Sequence, residues 1–131
     1  MSLRESVLAF ADEAWGVAPD YPWAGDSESA VLRHPGNGKW FALALRVRAH
    51  SLGLKRDAEV DIVNLKCDPL MLPSLLRKPG YLSAYHMNKS NWLTILLDGT
   101  VPMEEIAYLM QVSHDLTRPV IRGKRRERHE P

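Results

Sequence analysis

Residues 80–92 bring together the side chains in this chain that are best suited to binding chemistry. The stretch GYLSAYHMNKSNW carries aromatic rings, amides, an imidazole and one amine between two apolar segments. A lysine amine pairs with phosphate, an amide hydrogen-bonds phosphate or a base edge, and an aromatic ring stacks on an unpaired base. These residue types therefore predict a contact with nucleic acid or with a partner. The candidates in this segment are Tyr85, His86, Asn88, Lys89, Asn91 and Trp92.

The same segment also has a purely structural interpretation. His86 and Asn88 would then satisfy backbone groups of an irregular turn, with Asn88 capping a short turn of helix over residues 89–91. Trp92 would be a strand residue at the edge of the sheet. The residue pattern leaves both interpretations open.

Two lysines outside this segment join the candidate contacts. Lys66 lies just before Cys67-Asp68-Pro69, where the start of a predicted helix attracts anions, although a solvated lysine at a strand end explains it equally well. Lys39 follows GNG at 36–38, which predicts a tight hairpin turn rather than a phosphate-binding loop.

The remaining reactive side chains predict no enzyme. Cys67 has no catalytic signature around it, so a buried structural thiol is the expectation. No two histidines have metal-ligand spacing, and the phosphate-loop, dinucleotide and nucleophile-elbow motifs are absent from the sequence. We therefore predict no catalytic residue, no metal ion and no cofactor. His114, beside Asp115 at the end of the last predicted helix, would place positive charge where a helix favours it.

The composition indicates a single cytoplasmic domain. The chain has 131 residues, of which 45% are hydrophobic and 25% charged, as in ordinary globular proteins. No apolar run is long enough to span a membrane, and the N-terminus lacks the features of a secretory signal. The one cysteine agrees with a reducing compartment. We predict one domain over residues 1–117, a cytoplasmic location and no membrane association.

The charge is distributed unevenly along the chain. Residues 118–131 hold six Lys/Arg and two Asp/Glu, and subtracting these from the totals of 17 and 16 leaves 11 basic and 14 acidic residues in 1–117. The body is therefore slightly acidic, without the basic face that is typical of nucleic-acid-binding proteins. The tail is predicted to be disordered, and it either binds nucleic acid non-specifically or is simply solvated. Its basic residues beyond Arg118 are Arg122, Lys124, Arg125, Arg126 and Arg128.

Hydrophobic periodicity predicts an α+β fold with helices on one face of a mostly antiparallel sheet. Ser2 and Gly16 suit the two ends of the first helix, and Asp68 suits the start of the second. Pro73 should kink or shorten that second helix. Helices are predicted at 3–15, 68–78 and 101–117, and strands at 30–35, 39–48, 59–67 and 92–99.

The strand at 39–48 alternates cleanly, which predicts one core face and one opposite face. Phe41, Leu43, Leu45 and Val47 would face the helices. The opposite face would be an open platform that stacks single-stranded nucleic acid, the interface of a homodimer, with Ala42 and Ala44 allowing close approach, or simply exposed to solvent. The predicted sheet-face platform consists of Trp40, Arg46, Arg48, Trp92 and Thr94.

Several strings resemble the MmcQ/YjbR family of small bacterial proteins. They are YPW (21–23), GKWFALAL (38–45), VNLKCDP (63–69), AYHMNKSNWLTILLDGTVP (84–102) and EEIAYLMQVSHDL (104–116). The resemblance covers residues 3–117. It implies a two-layer α-β-β-β-α-β-β-α fold, similar in outline to secretion chaperones and frataxin-like proteins, with an extra short strand within 80–85.

The family is often described as DNA-binding through a "double wing" arrangement of loops. The resemblance therefore implies a non-catalytic DNA-binding accessory protein. The alternative is a protein-interaction or small-ligand module, such as a drug-handling protein, with no role on nucleic acid.

Overall fold

The computed structural model describes residues 1–120 and follows the order α-β-β-β-α-β-β-α that the resemblance implies. The tail lysine and arginines predicted to contact nucleic acid, at 122–128, lie outside the described residues. The one-domain boundary at 117 stays a prediction. The helices are α1 (Leu3–Trp15), α2 (Leu72–Leu75) and α3 (Met103–Thr117), and the strands are β1 (Ala30–Arg33), β2 (Trp40–Arg48), β3 (Glu59–Lys66), β4 (Tyr81–Ser83) and β5 (Trp92–Leu96).

The five strands form one antiparallel sheet in the order β1-β2-β3-β5-β4. Helices α1 and α3 pack on each other and on the central strands β2 and β3. The α+β fold with the long helices on one face is thereby confirmed. We call the face of the sheet that is turned away from α1 and α3 the back face.

Local capping fixes α1 where the sequence predicts it. The Ser2 hydroxyl accepts a hydrogen bond from the Glu5 amide at 3.1 Å, and the Glu5 carboxylate accepts one from the Ser2 amide at 2.8 Å. Gly16 ends the helix in the left-handed conformation, with φ of 66°. This reciprocal cap and the glycine stop satisfy backbone groups that would otherwise lack partners at the two helix ends.

The second helix is much shorter than predicted and begins later. Asp68 caps a turn instead of the helix, since its carboxylate accepts the Leu70 amide at 2.9 Å. Pro73 lies in the first turn of α2, the position at which a missing amide hydrogen costs least. Placing Pro73 there leaves room for only one helical turn, over Leu72–Leu75.

A bulge in β2 overturns the predicted facing of that strand. Leu32 of β1 pairs with Ala42, whereas Arg33 pairs with Trp40, so Phe41 is an extra residue in the ladder. A bulge interrupts the strict alternation of side chains. Phe41 and Ala42 consequently both enter the core beneath the helices.

Beyond the bulge, the side chains of β2 alternate again, but each lies on the face opposite to the one predicted. Leu45 and Val47 pack on the back face, in a cluster with Ile62 and Leu96, and not beneath the helices. Ala44 shares a face with Val63 and so lies on the helix side. The predicted core face was right for Phe41 and wrong for the apolar residues that follow it.

Ser113 of α3 satisfies the backbone groups that lie next to the bulge. Its hydroxyl donates to the Phe41 carbonyl at 2.5 Å and accepts the Lys66 amide at 2.9 Å. Ser113 has no exposed surface, so these bonds replace water that cannot reach the site. One buried hydroxyl thus links the last helix to two adjacent strands.

Two histidines pack in an aromatic cluster at one end of α3. The His114 ring stacks on Trp15, with centroids 4.1 Å apart, and lies against His34 at 4.3 Å. His34 Nε2 donates to the His114 carbonyl at 3.0 Å. Burial lowers the pKa of both imidazoles. His114 lies in the last turn of α3 as predicted, but burial lowers its pKa and so opposes the positive charge that was expected there.

Among residues 1–120, no helix combines the length and the apolar character that crossing a bilayer would require.

Replacing Gly80 by alanine should destabilise the protein more than replacing Gly99. Both glycines have φ near +90°, at 88° and 95°. A Cβ on Gly80 would lie 2.7 Å from Val101 Cγ2, whereas a Cβ on Gly99 would meet nothing within 4 Å. We expect the free energy of unfolding to fall by about 2–4 kcal/mol for Gly80→Ala and by about 1–2 kcal/mol for Gly99→Ala, measured by urea denaturation. Equal losses would contradict the close approach.

Stability should fall as the pH drops below about 6.5, the ordinary pKa of histidine. Because the pKa values of His34 and His114 are lowered in the folded state, the unfolded chain binds more protons in this range. The contribution is complete above pH 6.5 and is lost as the pH falls through the folded-state values. His114→Phe should flatten the decline in urea midpoints between about pH 7 and 5, while the exposed His50→Gln should leave it unchanged.

Candidate functional site

The connector between β4 and β5, residues 84–91, lies across the back face and is fixed there by a buried polar network. The Asn64 side chain donates to the Tyr85 carbonyl at 2.9 Å, and the Tyr85 amide donates to the Thr94 hydroxyl at 2.8 Å. That hydroxyl in turn donates to Asn64 Oδ1. Asn64 and Thr94 have no exposed surface. The back face is therefore partly covered and is not the open surface that the sequence predicts.

His86 holds a conformation that is unusual for a residue other than glycine. Its φ is 57°, the one positive value among the described residues that are not glycine. Its ring stacks on Tyr85, with centroids 3.9 Å apart and an angle of 13° between the planes. The left-handed backbone turns the exposed imidazole back onto its neighbour. His86 thus shapes the connector by stacking and not by the backbone hydrogen bond that was predicted.

The remaining polar candidates of the connector mostly serve its own turn. Asn88 accepts the Ser90 amide at 2.8 Å and so caps the segment as predicted, but residues 89–91 form a turn and not the turn of helix that was expected. The Asn91 carbonyl accepts the Cys67 amide at 2.9 Å, and this bond joins the connector to the end of β3. Lys89 Nζ donates to the Ala84 carbonyl at 2.5 Å. The amine predicted to meet phosphate is therefore engaged within the protein.

The predicted sheet-face platform does not form. Trp40, Trp92 and Thr94 lie on the back face, but Thr94 is completely buried beneath the connector. Arg46 and Arg48 pair with Asp61 and Glu59 of β3 on the opposite side, although Arg46 lies at the strand edge and also borders the back face. The reason is the bulge at Phe41, which breaks the alternation that would have put the arginines beside Trp40.

Both arginines are also held by carboxylates. Arg46 contacts Glu59 at 3.3 Å and Asp61 at 3.2 Å, and the hydrogen bond with Asp61 raises the pKa of the guanidinium further. Arg48 lies 3.7 Å from Asp57. These local partners reduce the positive potential that the two side chains could offer to a polyanion.

One end of the sheet carries three of the predicted contact residues, Lys39, Lys66 and Trp92. Lys66 pairs with Trp92 across β3 and β5, and both are half-buried. Lys39 is exposed at the hairpin before β2, which begins at the same end of the sheet. The chain leaving α3 passes this hairpin, since Asn37 donates to the Thr117 carbonyl at 3.0 Å. The structure thus places the lysine-bearing hairpin beside the start of the basic tail.

A groove of about 590 Å³ occupies the part of the back face that the connector leaves uncovered. We call it the back-face groove. Leu43, Leu45 and Val47 form its apolar floor, and Trp23 and Trp40 stand at one side with ring centroids 5.8 Å apart in an edge-to-face arrangement. Its remaining lining residues are Asp26, Ser29, Arg46, Tyr85, His86 and Met87.

Four lining residues were predicted as site residues, Trp40, Arg46, Tyr85 and His86, and the sequence missed the other seven. Trp23, in the loop before β1, is 42% exposed. Asp26 ends the same loop in a tight turn, and hydrogen bonds from the Ser29 hydroxyl and the Glu28 amide hold the pKa of its carboxyl below the usual value. Met87 carries no distinguishing sequence signal. The string YPW was the one available signal for this loop.

Cys67 is buried, with 2% of its surface exposed, and burial raises the pKa of its thiol. It therefore has the environment of a structural thiol, as expected. Within residues 1–120, no three His, Cys, Asp or Glu side chains are grouped in a way that would hold a metal ion.

Removing the Thr94 hydroxyl should loosen the connector. Thr94→Val leaves the Tyr85 amide without an acceptor and Asn64 Oδ1 without a donor. We expect a loss of about 1–3 kcal/mol in unfolding free energy and faster hydrogen exchange at the Tyr85 amide. Thr94→Ser keeps the hydroxyl and should retain slow exchange at this amide. Unchanged exchange in Thr94→Val would contradict the proposed network.

Comparison with known proteins identifies relatives along nearly the whole chain. The YjbR family model matches residues 13–116. The protein YyaQ of Bacillus subtilis (strain 168) is 40% identical over 118 residues, which are 90% of this chain and 100% of YyaQ. YyaQ is itself an uncharacterized protein.

Solved structures agree with this relationship. A crystal structure of a Pseudomonas syringae protein, 40% identical, superposes with a TM-score of 0.85 over 88% of this chain and 98% of that one. A crystal structure of a Deinococcus radiodurans protein, 26% identical, superposes with a TM-score of 0.69 over 100% of this chain and 91% of that one. The match to the family model over most of the chain, together with the 40% identity to YyaQ, shows that the chain belongs to the YjbR family.

Proposed function

We propose that this protein is a non-catalytic binding protein that receives an apolar ligand group in the back-face groove. The observation that carries the proposal is the groove itself, an uncovered apolar floor with two tryptophans at its side. Its volume of about 590 Å³ is within the range of small-molecule and peptide sites. Such sites combine mostly apolar walls with a few polar groups, here Asp26, Ser29 and Arg46.

The charges near the groove support an apolar ligand over a polyanion. Arg46 and Arg48 already have carboxylate partners, and Lys89 donates to a backbone carbonyl. The groove also contains the Asp26 carboxylate, which repels phosphate. A nucleic-acid strand in this groove would have to break the contacts of these three basic side chains within the protein before its phosphates could pair with them.

A second candidate function is non-specific binding of nucleic acid at the end of the sheet. The supporting observation is that Lys39 lies on the hairpin that the chain contacts as it leaves α3. The basic tail starts at this point, so Lys39, Lys66 and the tail arginines would act on the same strand of phosphates. This binding would depend strongly on salt and little on base sequence.

The groove is tested with Nile red, a neutral dye that fluoresces in apolar sites. Val47→Glu places a carboxylate on the groove floor, and Leu76→Glu, at an exposed leucine elsewhere, is the matched control. We expect Val47→Glu to weaken dye binding about tenfold or more, because burying an unpaired charge costs more than 1 kcal/mol. Wild type and Leu76→Glu should bind alike. Absence of dye binding, or equal binding by all three proteins, would overturn the proposed function.

The same proteins separate the two candidates when they are titrated with a single-stranded oligonucleotide at about 50 and 200 mM salt. For nucleic-acid binding, Lys39→Ala should reduce the salt slope by about one unit, while Val47→Glu should have no effect. Comparing the full chain with a chain that ends at Val120 measures how much of the oligonucleotide affinity the tail supplies. If neither the full nor the shortened chain binds at low salt, the second candidate is excluded.

A further inference from the structure

The edge of β2 is only partly covered by its neighbour β1. β2 runs from Trp40 to Arg48, but β1 pairs with it only as far as Ala44. On its other side β2 pairs with β3 along residues 42–48. Within the described part of the chain, no loop forms a backbone hydrogen bond to residues 45–48 on the β1 side. Alternate backbone groups over this stretch therefore point outward without a strand to receive them.

The turn at Asp26 lies just before β1, whose first residue is Ala30. The Asp26 carboxylate accepts hydrogen bonds from the Glu28 and Ser29 amides at 2.8 and 3.0 Å. These bonds turn the chain away from the path that would have continued the pairing beyond Ala30. The open edge of β2 is thus fixed by a defined local structure.

A cleft opens on each side of this uncovered edge. On the back face lies the back-face groove, with Leu45 and Val47 on its floor. On the helix side lies a smaller polar cleft of about 270 Å³, lined by Arg4, Ser27, Glu28, Arg46 and Asp61. Arg46 borders both clefts. A strand added at the edge would project alternate side chains into an apolar cleft and a polar one.

The polar cleft contains a donor without an acceptor. Arg4 Nη1 is buried and has no hydrogen-bond partner among the described residues. A buried guanidinium nitrogen without an acceptor is costly, and an acceptor side chain that reached it from the cleft would relieve that cost. Arg4 therefore favours a ligand that brings a hydrogen-bond acceptor to the helix side of the edge.

We infer that the ligand is an extended peptide segment of a partner protein, which pairs with residues 45–48 of β2 as an added strand. The inference rests on the proposed function, because it uses the same groove. The segment alternates apolar side chains, which enter the back-face groove, with acceptor-bearing side chains, which face Arg4. Backbone hydrogen bonds to the edge supply affinity, and the two clefts select the alternating pattern.

A peptide fits this edge better than a second copy of the chain. Four residues of open edge span about 13 Å at the usual rise of a strand. A stable homodimer buries about 1,200 Å² or more, which a contact of this length does not provide. A single extended segment needs only the edge and the two clefts beside it.

The experiment uses the full chain and an array of synthetic octapeptides that alternate Val, Leu or Phe with Asp, Ser or Asn. Scrambled peptides of the same composition without alternation are the matched control. We expect alternating peptides to bind and scrambled ones not to bind. The tightest peptide is then made in two N-methylated forms, each blocking one alternate set of amides. One form should lose about tenfold or more in affinity, and the other should retain it, since only one set faces the edge.

Two further measurements separate this inference from the proposed function. Arg4→Met should weaken the peptide severalfold without changing Nile red binding. If Nile red binds but no alternating peptide binds more tightly than its scrambled control, the proposed function is supported and the inference of an added strand is overturned. Equal effects of the two N-methylated forms also overturn it. A twofold increase in molecular mass that depends on Val47, in place of peptide binding, would assign the edge to a second copy.

Discussion

The bulge at Phe41 and its contact with Ser113 determine how the rest of the structure is arranged. One extra residue in β2 puts a phenylalanine beneath the helices and turns the following apolar residues to the back face. The hydroxyl of Ser113 satisfies the backbone groups around the bulge and ties α3 to β2 and β3. Without this interruption, Leu45 and Val47 would lie in the main core, and the back face would have the polar surface that strict alternation implies.

Most of the fold could be predicted because it is specified locally. The capping box at Ser2 and Glu5, the stop at Gly16 and the acidic first turn of α3 are all visible in the sequence, and the helices follow them closely. The resemblance supplied β4, which is too short to show a period. The facing of β2 could not be predicted, because a bulge depends on the register with another strand and leaves the alternation of the sequence intact.

The candidate site shows a similar division. The sequence correctly indicated that residues 84–92 are unusual, and Asn88 caps its turn as expected. It could not show that Lys89 reaches a carbonyl five residues earlier, or that Thr94 and Asn64 lie under the connector. Residue types indicate what a side chain can bind, whereas the partner already present in the fold determines what remains available. Here the available surface is apolar, and its lining comes largely from residues that looked like core.

The attachment of the connector has a consequence for motion. Tyr85 is held to the sheet through its own backbone by one asparagine and one threonine, and no pairing between strands passes through it. Together with the bond between the Asn91 carbonyl and the Cys67 amide, these few contacts lead us to expect that the connector opens more readily than the sheet beneath it. Because Tyr85, His86 and Met87 border the groove, each opening would enlarge the cavity while the sheet beneath it stayed intact. The rate of that local opening, and not diffusion alone, would then limit how fast a large ligand enters the back-face groove.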